Sequence, residues 1–213
     1  MVHVISAHHF VGQEVVTIDN PLAMTPGPDN VLFVSTPDHN VHILNATSGE
    51  PMMPPFSTVD AAVSICYSKE GDYVAALEAK ESRQSADFSY IRVYRHWAQQ
   101  ARGQPMRARI AARVTPSSAA AEPALEMIEV PINEHATAIG CCQRTGNLAV
   151  ACGTQVTVHH FVMKTHDISR FKFCDLEELA QLELDFEVTE LALCEELLVC
   201  TGADRLQLVQ LKR

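Results

Sequence analysis

Apolar positions in this chain fall in short blocks, and the blocks recur in one order. Ala62-Val63-Ser64-Ile65-Cys66-Tyr67 is followed by Gly71-Asp72, then Tyr73-Val74-Ala75-Ala76-Leu77, then Tyr90-Ile91-Arg92-Val93-Tyr94. The order returns in Ala136 to Cys142, Gly146-Asn147, Leu148 to Cys152 and Gln155 to Phe161. It returns again in Val188 to Cys194, Glu195-Glu196, Leu197 to Thr201 and Arg205 to Leu211. A rougher copy runs from Val31-Leu32-Phe33-Val34-Ser35 to Asn40-Val41-His42-Ile43-Leu44. Apolar and polar residues alternate in Val41-His42-Ile43-Leu44 and in Val156-Thr157-Val158, the pattern of half-buried strands. The middle block of a copy, such as Tyr73 to Leu77, is apolar throughout, which predicts a strand covered on both faces. Gly71-Asp72, Gly146-Asn147 and Thr47-Ser48-Gly49-Glu50 supply turn chemistry. Three short strands joined by tight turns, written several times, predict an all-β chain of β-propeller type with WD40-like blades.

The middle blocks begin at Val31, Tyr73, Leu148 and Leu197, which are 42, 75 and 49 positions apart. Blades of the common kind repeat at about 40–45 residues. The long interval is explained by an insertion of about 30 residues, Ala98 to Pro123, rich in Ala, Arg, Ser and Pro and without apolar period. It reads as a disordered surface loop, after which Ala124 to Val130 resumes as the outer strand of the second blade. Phe173, Leu176, Leu179 and Ala180 fall at helical spacing, with Asp175 early in the run, and predict one short helix from Phe173 to Leu182. Residues 1–213 thus form one propeller-like domain of about four blades, near the lower limit for closure. A strand so close to Lys212-Arg213 would leave an unpaired edge, so the expectation is an incomplete propeller, the N-terminal piece of a longer protein. Exposed apolar edges there predict poor solubility for the piece alone.

Charge narrows the partners. The formal net charge is −10, which disfavours nucleic acid and direct docking on anionic membranes, since both are bound through Lys and Arg. The stretch from Arg102 to Arg113 is a local exception, with Arg102, Arg107, Arg109 and Arg113 and no acid among them. It reads as a solvated loop or as a dock for an acidic partner. No stretch approaches the roughly 20 apolar residues of a membrane span, so no direct insertion is expected. Met1 to Phe10 lacks the pattern of a secretory signal.

Chemistry-bearing residues are present without the spacing that chemistry needs. Cys66, Cys152, Cys194 and Cys200 lie inside apolar blocks, Cys141-Cys142 ends one, and CxxC is absent. The seven cysteines read as buried core thiols of a reducing compartment. His8-His9, His39 with His42, and His159-His160 are the histidine pairs. Neighbours on a strand point to opposite faces, and no thiol or carboxylate closes a tetrahedral set, so neither metal nor cofactor is expected. The best enzyme alternative is a thiol hydrolase with Cys141 or Cys142 as nucleophile, His159 or His160 as base and Asp167 orienting it. Those cysteines end an apolar strand that recurs in blades without such partners, and phosphate loops and nucleophile elbows are absent, so no enzymatic activity is expected.

Several runs resemble the N-terminal region of the Hermansky–Pudlak syndrome type 3 protein family. They are Phe56-Ser57-Thr58, Tyr67 to Tyr73, Ala75-Ala76-Leu77-Glu78, Arg92-Val93-Tyr94 with Trp97, Met127 to Pro131, and Cys141-Cys142 with Gly146-Asn147-Leu148. The likeness is collinear over residues 56 to 211 and weaker before Phe56 and across the loop. It implies a subunit of the second biogenesis of lysosome-related organelles complex, with a propeller ahead of an α-helical solenoid. It further implies a non-enzymatic, cofactor-free scaffold, cytoplasmic and peripheral on endosomal or lysosome-related organelle membranes. Such a scaffold sorts cargo toward melanosomes and similar organelles, with the sister subunits and a Rab-type small GTPase as partners. The alternative is a generic WD40-like scaffold of another assembly, such as a vesicle coat or a ubiquitin ligase receptor.

Candidate contact residues follow from both readings. Trp, Tyr and Arg dominate interface energetics, which singles out Tyr94 and Trp97 beside the basic loop, with Arg107 and Arg109 within it. Trp97 serves equally as a blade-edge packing residue. The family's link to coated vesicles brings in clathrin, whose ligands are short extended Leu-apolar-any-apolar-acid segments. Leu179-Ala180-Gln181-Leu182-Glu183 fits that pattern, naming Leu179, Leu182 and Glu183, although Leu179 and Leu182 would equally be buried by a packed helix.

Overall fold

The computed structural model describes residues 18–79, 89–95, 97, 126–130, 135–165 and 172–211. Among the described residues fifteen strands form four antiparallel sheets, each made of strands consecutive in sequence. The first sheet holds β1 (Ala23–Pro26), β2 (Val31–Thr36), β3 (Asn40–Asn45) and β4 (Pro51–Ser57). The second holds β5 (Ala61–Ser68), β6 (Tyr73–Ala79), β7 (Ser89–Arg95) and β8 (Glu126–Val130). The third holds β9 (Ala138–Cys141), β10 (Leu148–Cys152), β11 (Gln155–Thr165) and β12 (Lys172–Glu183). β13 (Glu190–Cys194), β14 (Leu197–Thr201) and β15 (Leu206–Gln210) form the fourth.

The first strands of successive sheets pack on one another, β1 on β5, β5 on β9 and β9 on β13. That is the arrangement of propeller blades, inner strand to inner strand. Among the described residues no comparable packing returns β13 to β1, so the four blades form an open arc. Three cores fill the three seams. Val31, Phe33, Val41, Ile43 and Phe56 of the first blade meet Ile65, Tyr67, Val74, Ala76 and Tyr94 of the second. Tyr73, Ala75, Leu77, Ile91 and Val93 then meet Ile139, Leu148 and Val150 of the third. Ala149, Ala151, Val156 and Val158 meet Leu193, Leu198 and Cys200 of the fourth. Alternate residues of β6 and of β10 therefore serve two different cores, which is why both strands are apolar throughout.

Hairpin turns join the first two strands of each copy as the sequence indicates. Asp72, Gly146 and Glu195 take positive φ there, at 47°, 73° and 54°. Gly146 is also tightly enclosed, since a Cβ there would stand 3.1 Å from Gly71 N across the seam. Gly140 leaves no room at the next seam, where a Cβ would meet Leu191 O at 2.7 Å.

Two expectations change. Residues 172–183 are not a helix but β12, paired along its length with β11. A register shift opposite Val158/His159 leaves Leu179 without a cross-strand partner, so the alternation resets in mid-strand. Leu176 then packs toward the second blade while Ala180 and Leu182 pack toward the fourth. The two half-patterns together imitate a helical stripe. Cys194 is exposed rather than buried, while Cys142, Cys174 and Cys200 are buried and Cys66, Cys141 and Cys152 are partly so. The expected loop, 98–123, lies outside the described residues, as do Ala124 and Leu125 of the strand after it.

Candidate interaction surface

The second blade is built around a buried ionic cluster. Glu78, near the end of β6, has no solvent exposure, and burial pushes its carboxyl above the ordinary range. It accepts hydrogen bonds from Asp60 N at 2.8 Å, Arg92 Nη1 at 2.5 Å and the Tyr94 hydroxyl. Arg92 reaches two further carboxylates, Asp60 at 3.0 Å and Glu129 at 3.3 Å, and stacks over Tyr90 at 4.5 Å. Tyr94 Oη in turn accepts from Val59 N at 3.2 Å. The connection from the first blade, Val59-Asp60, is thus held by side chains of β6 and β7 and fixes how the two blades meet. A buried charge set of this kind specifies geometry when every member is satisfied.

The seam between the second and third blades is held by polar contacts around a small core. Ser68 Oγ donates to Cys142 O at 2.8 Å, and Lys69 N donates to Gln143 Oε1 at 3.1 Å. The Tyr73 hydroxyl donates to Gly146 O at 2.9 Å. Tyr67, whose hydroxyl burial and nearby Asp72 push up to about 12, packs against Phe33 and Trp97.

Tyr94 and Trp97 are core residues. Tyr94 is inaccessible, and Trp97 is 5% exposed and edge-on to Phe33 at 4.8 Å. Their apolar mass is spent between the first and second blades, so the structure gives them a packing role in place of the presented surface the sequence suggested. Arg107 and Arg109 lie outside the described residues. Leu179 is exposed at the bulge, Leu182 packs inward, and Glu183 accepts from Thr154 Oγ1. This segment is therefore paired β-strand, whereas a clathrin ligand is taken as a free extended segment. Among the described candidates, Tyr94 and Trp97 share the core of the first seam, and Leu179, Leu182 and Glu183 lie apart from them on β12.

The hydrolase residues do not assemble either. Cys141 and His159 both pair with Leu148 from opposite sides, which leaves them two strands apart, about 10 Å. The Cys141 thiol donates to Tyr67 O at 2.8 Å, and His159 contacts Thr157 at 3.0 Å. Burial lowers His159, and His160 pairs with Asn147 at 2.8 Å. Cys142 Sγ accepts from Glu195 N at 3.1 Å and from Thr145 N at 3.4 Å. Asp167 lies outside the described residues. Among the described residues no group of three or more His, Cys, Asp or Glu could hold a metal.

What the sequence reading missed is a face. In the fourth blade, rows Ala192–Val199–Leu208 and Cys194–Leu197–Gln210 share one side of the sheet with Leu206. Leu206 and Leu208 are 64% and 60% exposed. Leu206, Gln207 and Leu208 are all exposed, and the side of β15 that carries the two leucines points away from the core. That side of the fourth blade is therefore an apolar, largely exposed sheet face.

Four antiparallel blades, stacked inner strand to inner strand, define a WD40-like propeller-type fold. Solved structures agree on the fold. U3-55K aligns with a TM-score of 0.56 at 12% identity, over 92% of this chain and 51% of that one. A chain of the mitotic checkpoint complex gives 0.55 at 13%, over 91% and 51%. The computationally designed Ika4 protein gives 0.52 at 11%, over 95% of this chain and all of that one. The family described as Hermansky-Pudlak syndrome 3 protein, N-terminal, matches residues 3–213, and the chain belongs to it. It is 27% identical over 196 residues to the Homo sapiens BLOC-2 complex member HPS3, covering 87% of this chain and 18% of that protein. The Mus musculus counterpart is 26% identical over 183 residues, with 81% and 17% covered. The chain thus spans less than a fifth of the length of these relatives. Among the described residues no helix is long and apolar enough to cross a membrane.

Proposed function

We propose that this domain is a non-enzymatic scaffold of a BLOC-2-type complex, which directs cargo from endosomes to lysosome-related organelles such as melanosomes. The observation that carries the reading is the family match along residues 3–213, together with the complex named for both relatives. The geometry supports a binding role. Polar side chains at the first two seams make the blades rigid, and the apolar side of the fourth blade is left available to protein. The partners of this reading are the sister subunits and a Rab-type small GTPase. Its setting is the cytoplasmic side of endosomal membranes, reached through partners rather than by insertion. Clathrin contact through Leu179–Glu183 would require β12 to leave β11, and the proposal does not include it.

Co-expression of the full-length protein with the sister subunits, followed by size-exclusion chromatography, tests the proposal. One co-eluting assembly that loses this protein when the domain is deleted is the expected result. Assembly untouched by the deletion would overturn the scaffold role.

A further inference from the structure

Two thiols meet at the seam between the second and third blades. Cys66 lies on β5 and Cys141 on β9, the packed inner strands of adjacent blades, and both side chains lie against the core of that seam. Cys141 Sγ also stands 2.8 Å from the carbonyl oxygen of Tyr67, the residue next to Cys66. Both are partly exposed and pack on one core with Tyr73 and Ile139. The other described cysteines differ from this pair. Cys142 is buried and held by backbone N–H groups, Cys200 and Cys174 are buried, and Cys194 is exposed on the outer face. β5 and β9 belong to different sheets and are not hydrogen-bonded as a strand pair, so a disulfide there would be a covalent cross-link between the two blades in addition to the chain itself.

We propose that Cys66 and Cys141 are a dithiol that a low-molecular-weight disulfide, such as oxidised glutathione, converts to a disulfide linking the two blades. Cys141 is the attacking thiol and Cys66 the resolving one. The neighbouring Cys141 thiol, and after it burial, push the Cys66 thiol well up, which disfavours it as the first nucleophile. Cys141 gives its proton to water, and its sulfur attacks one sulfur of the oxidised reagent. That forms a mixed disulfide and releases one reduced thiolate, which takes up a proton. Cys66 then loses its proton and attacks Cys141 Sγ, which expels the second reduced thiol. Overall two protein S–H bonds are lost, one S–S bond forms, and one reagent disulfide is reduced to two thiols. The product spans 74 intervening residues, a loop long enough for the crosslink to restrict the unfolded chain strongly.

The test is mass spectrometry of the chain titrated with oxidised glutathione until the exposed Cys194 is modified. The expected result is loss of two hydrogens in a peptide pair linking Cys66 to Cys141, with a higher Tm than the reduced chain. Cys66→Ser should instead trap one glutathione on Cys141, and Cys141→Ser should leave Cys66 reduced. Finding both cysteines reduced, each bearing its own glutathione, or linked to other cysteines overturns the proposal. The wild-type linkage map stands whether or not the variants fold.

Discussion

Replacing Arg92 by Met tests the ionic cluster of the second blade. Arg92 is 6% exposed and bonds Glu78, Asp60 and Glu129. Asp60 and Glu129 keep access to water, but Glu78 has none. Without the guanidinium Glu78 has two options. It can stay ionised and unpaired in the core, which costs about 3–5 kcal/mol. It can instead take a proton, and an ordinary glutamate titrates near 4.5. At pH 7 that means about 2.5 pH units at about 1.4 kcal/mol each, a ceiling of roughly 3.4 kcal/mol. Burial already raises this carboxyl, so protonation is the cheaper route, and the lost hydrogen bonds add to it. The expected loss is about 3 kcal/mol at pH 7, or roughly 6–12 °C in Tm for a chain of this length. The deficit should shrink toward pH 5, where the proton is easier to acquire. Urea unfolding followed by Trp97 fluorescence is the assay, since Trp97 is the single tryptophan and lies in the adjoining core. Arg205→Met is the control, because its pair with Asp185 is exposed and worth at most about 1 kcal/mol. An Arg92→Met chain as stable as Arg205→Met at pH 7 would refute the reasoning.

Glu78→Gln should change how stability depends on pH. The folded chain holds a proton on Glu78 above the pH at which the unfolded chain releases it. The contribution of Glu78 is therefore fully present below the usual carboxylate range and falls as pH rises toward the raised value. Urea midpoints should show the wild type losing ground to Glu78→Gln across that window, and the opposite trend would show a carboxylate held low by Arg92. Tyr73→Phe removes the hydroxyl that donates to Gly146 O, and should cost about 1–3 kcal/mol in urea melts by leaving that buried carbonyl short of a donor. Leu206→Lys with Leu208→Lys should leave the melting curve within about 0.5 kcal/mol, since both point outward, and should reduce self-association in light scattering. Unchanged association would remove the fourth blade's face from consideration as a sticky surface.

Much of the fold was legible because its strands obey local rules. β6 and β10 announced themselves by continuous apolar residues, and the turns by Gly71-Asp72 and Gly146-Asn147. β12 did not, because the bulge at Leu179 moves its apolar residues from one face to the other, and period alone cannot separate that from a helix. The interaction residues were harder for a different reason. Composition correctly values Tyr94 and Trp97 as large aromatic side chains, but aromatic rings serve cores as readily as interfaces. Only the packing shows which, and here both are enclosed. The outer face of the fourth blade, with Leu206 and Leu208, was not legible in the sequence. Its direction depends on which side of the sheet a neighbouring blade covers, and that is set by contacts far apart in sequence. The cysteine seam is of the same kind, since Cys66 and Cys141 are 75 positions apart and meet only because β5 packs on β9.

Affinity purification of the complete protein from its own cells is the decisive test of the proposed trafficking-scaffold role. With co-purifying chains quantified by mass spectrometry, the sister subunits of a BLOC-2 complex are expected in near-equal amounts. Recovery of a ubiquitin ligase or another coat without those subunits would contradict it.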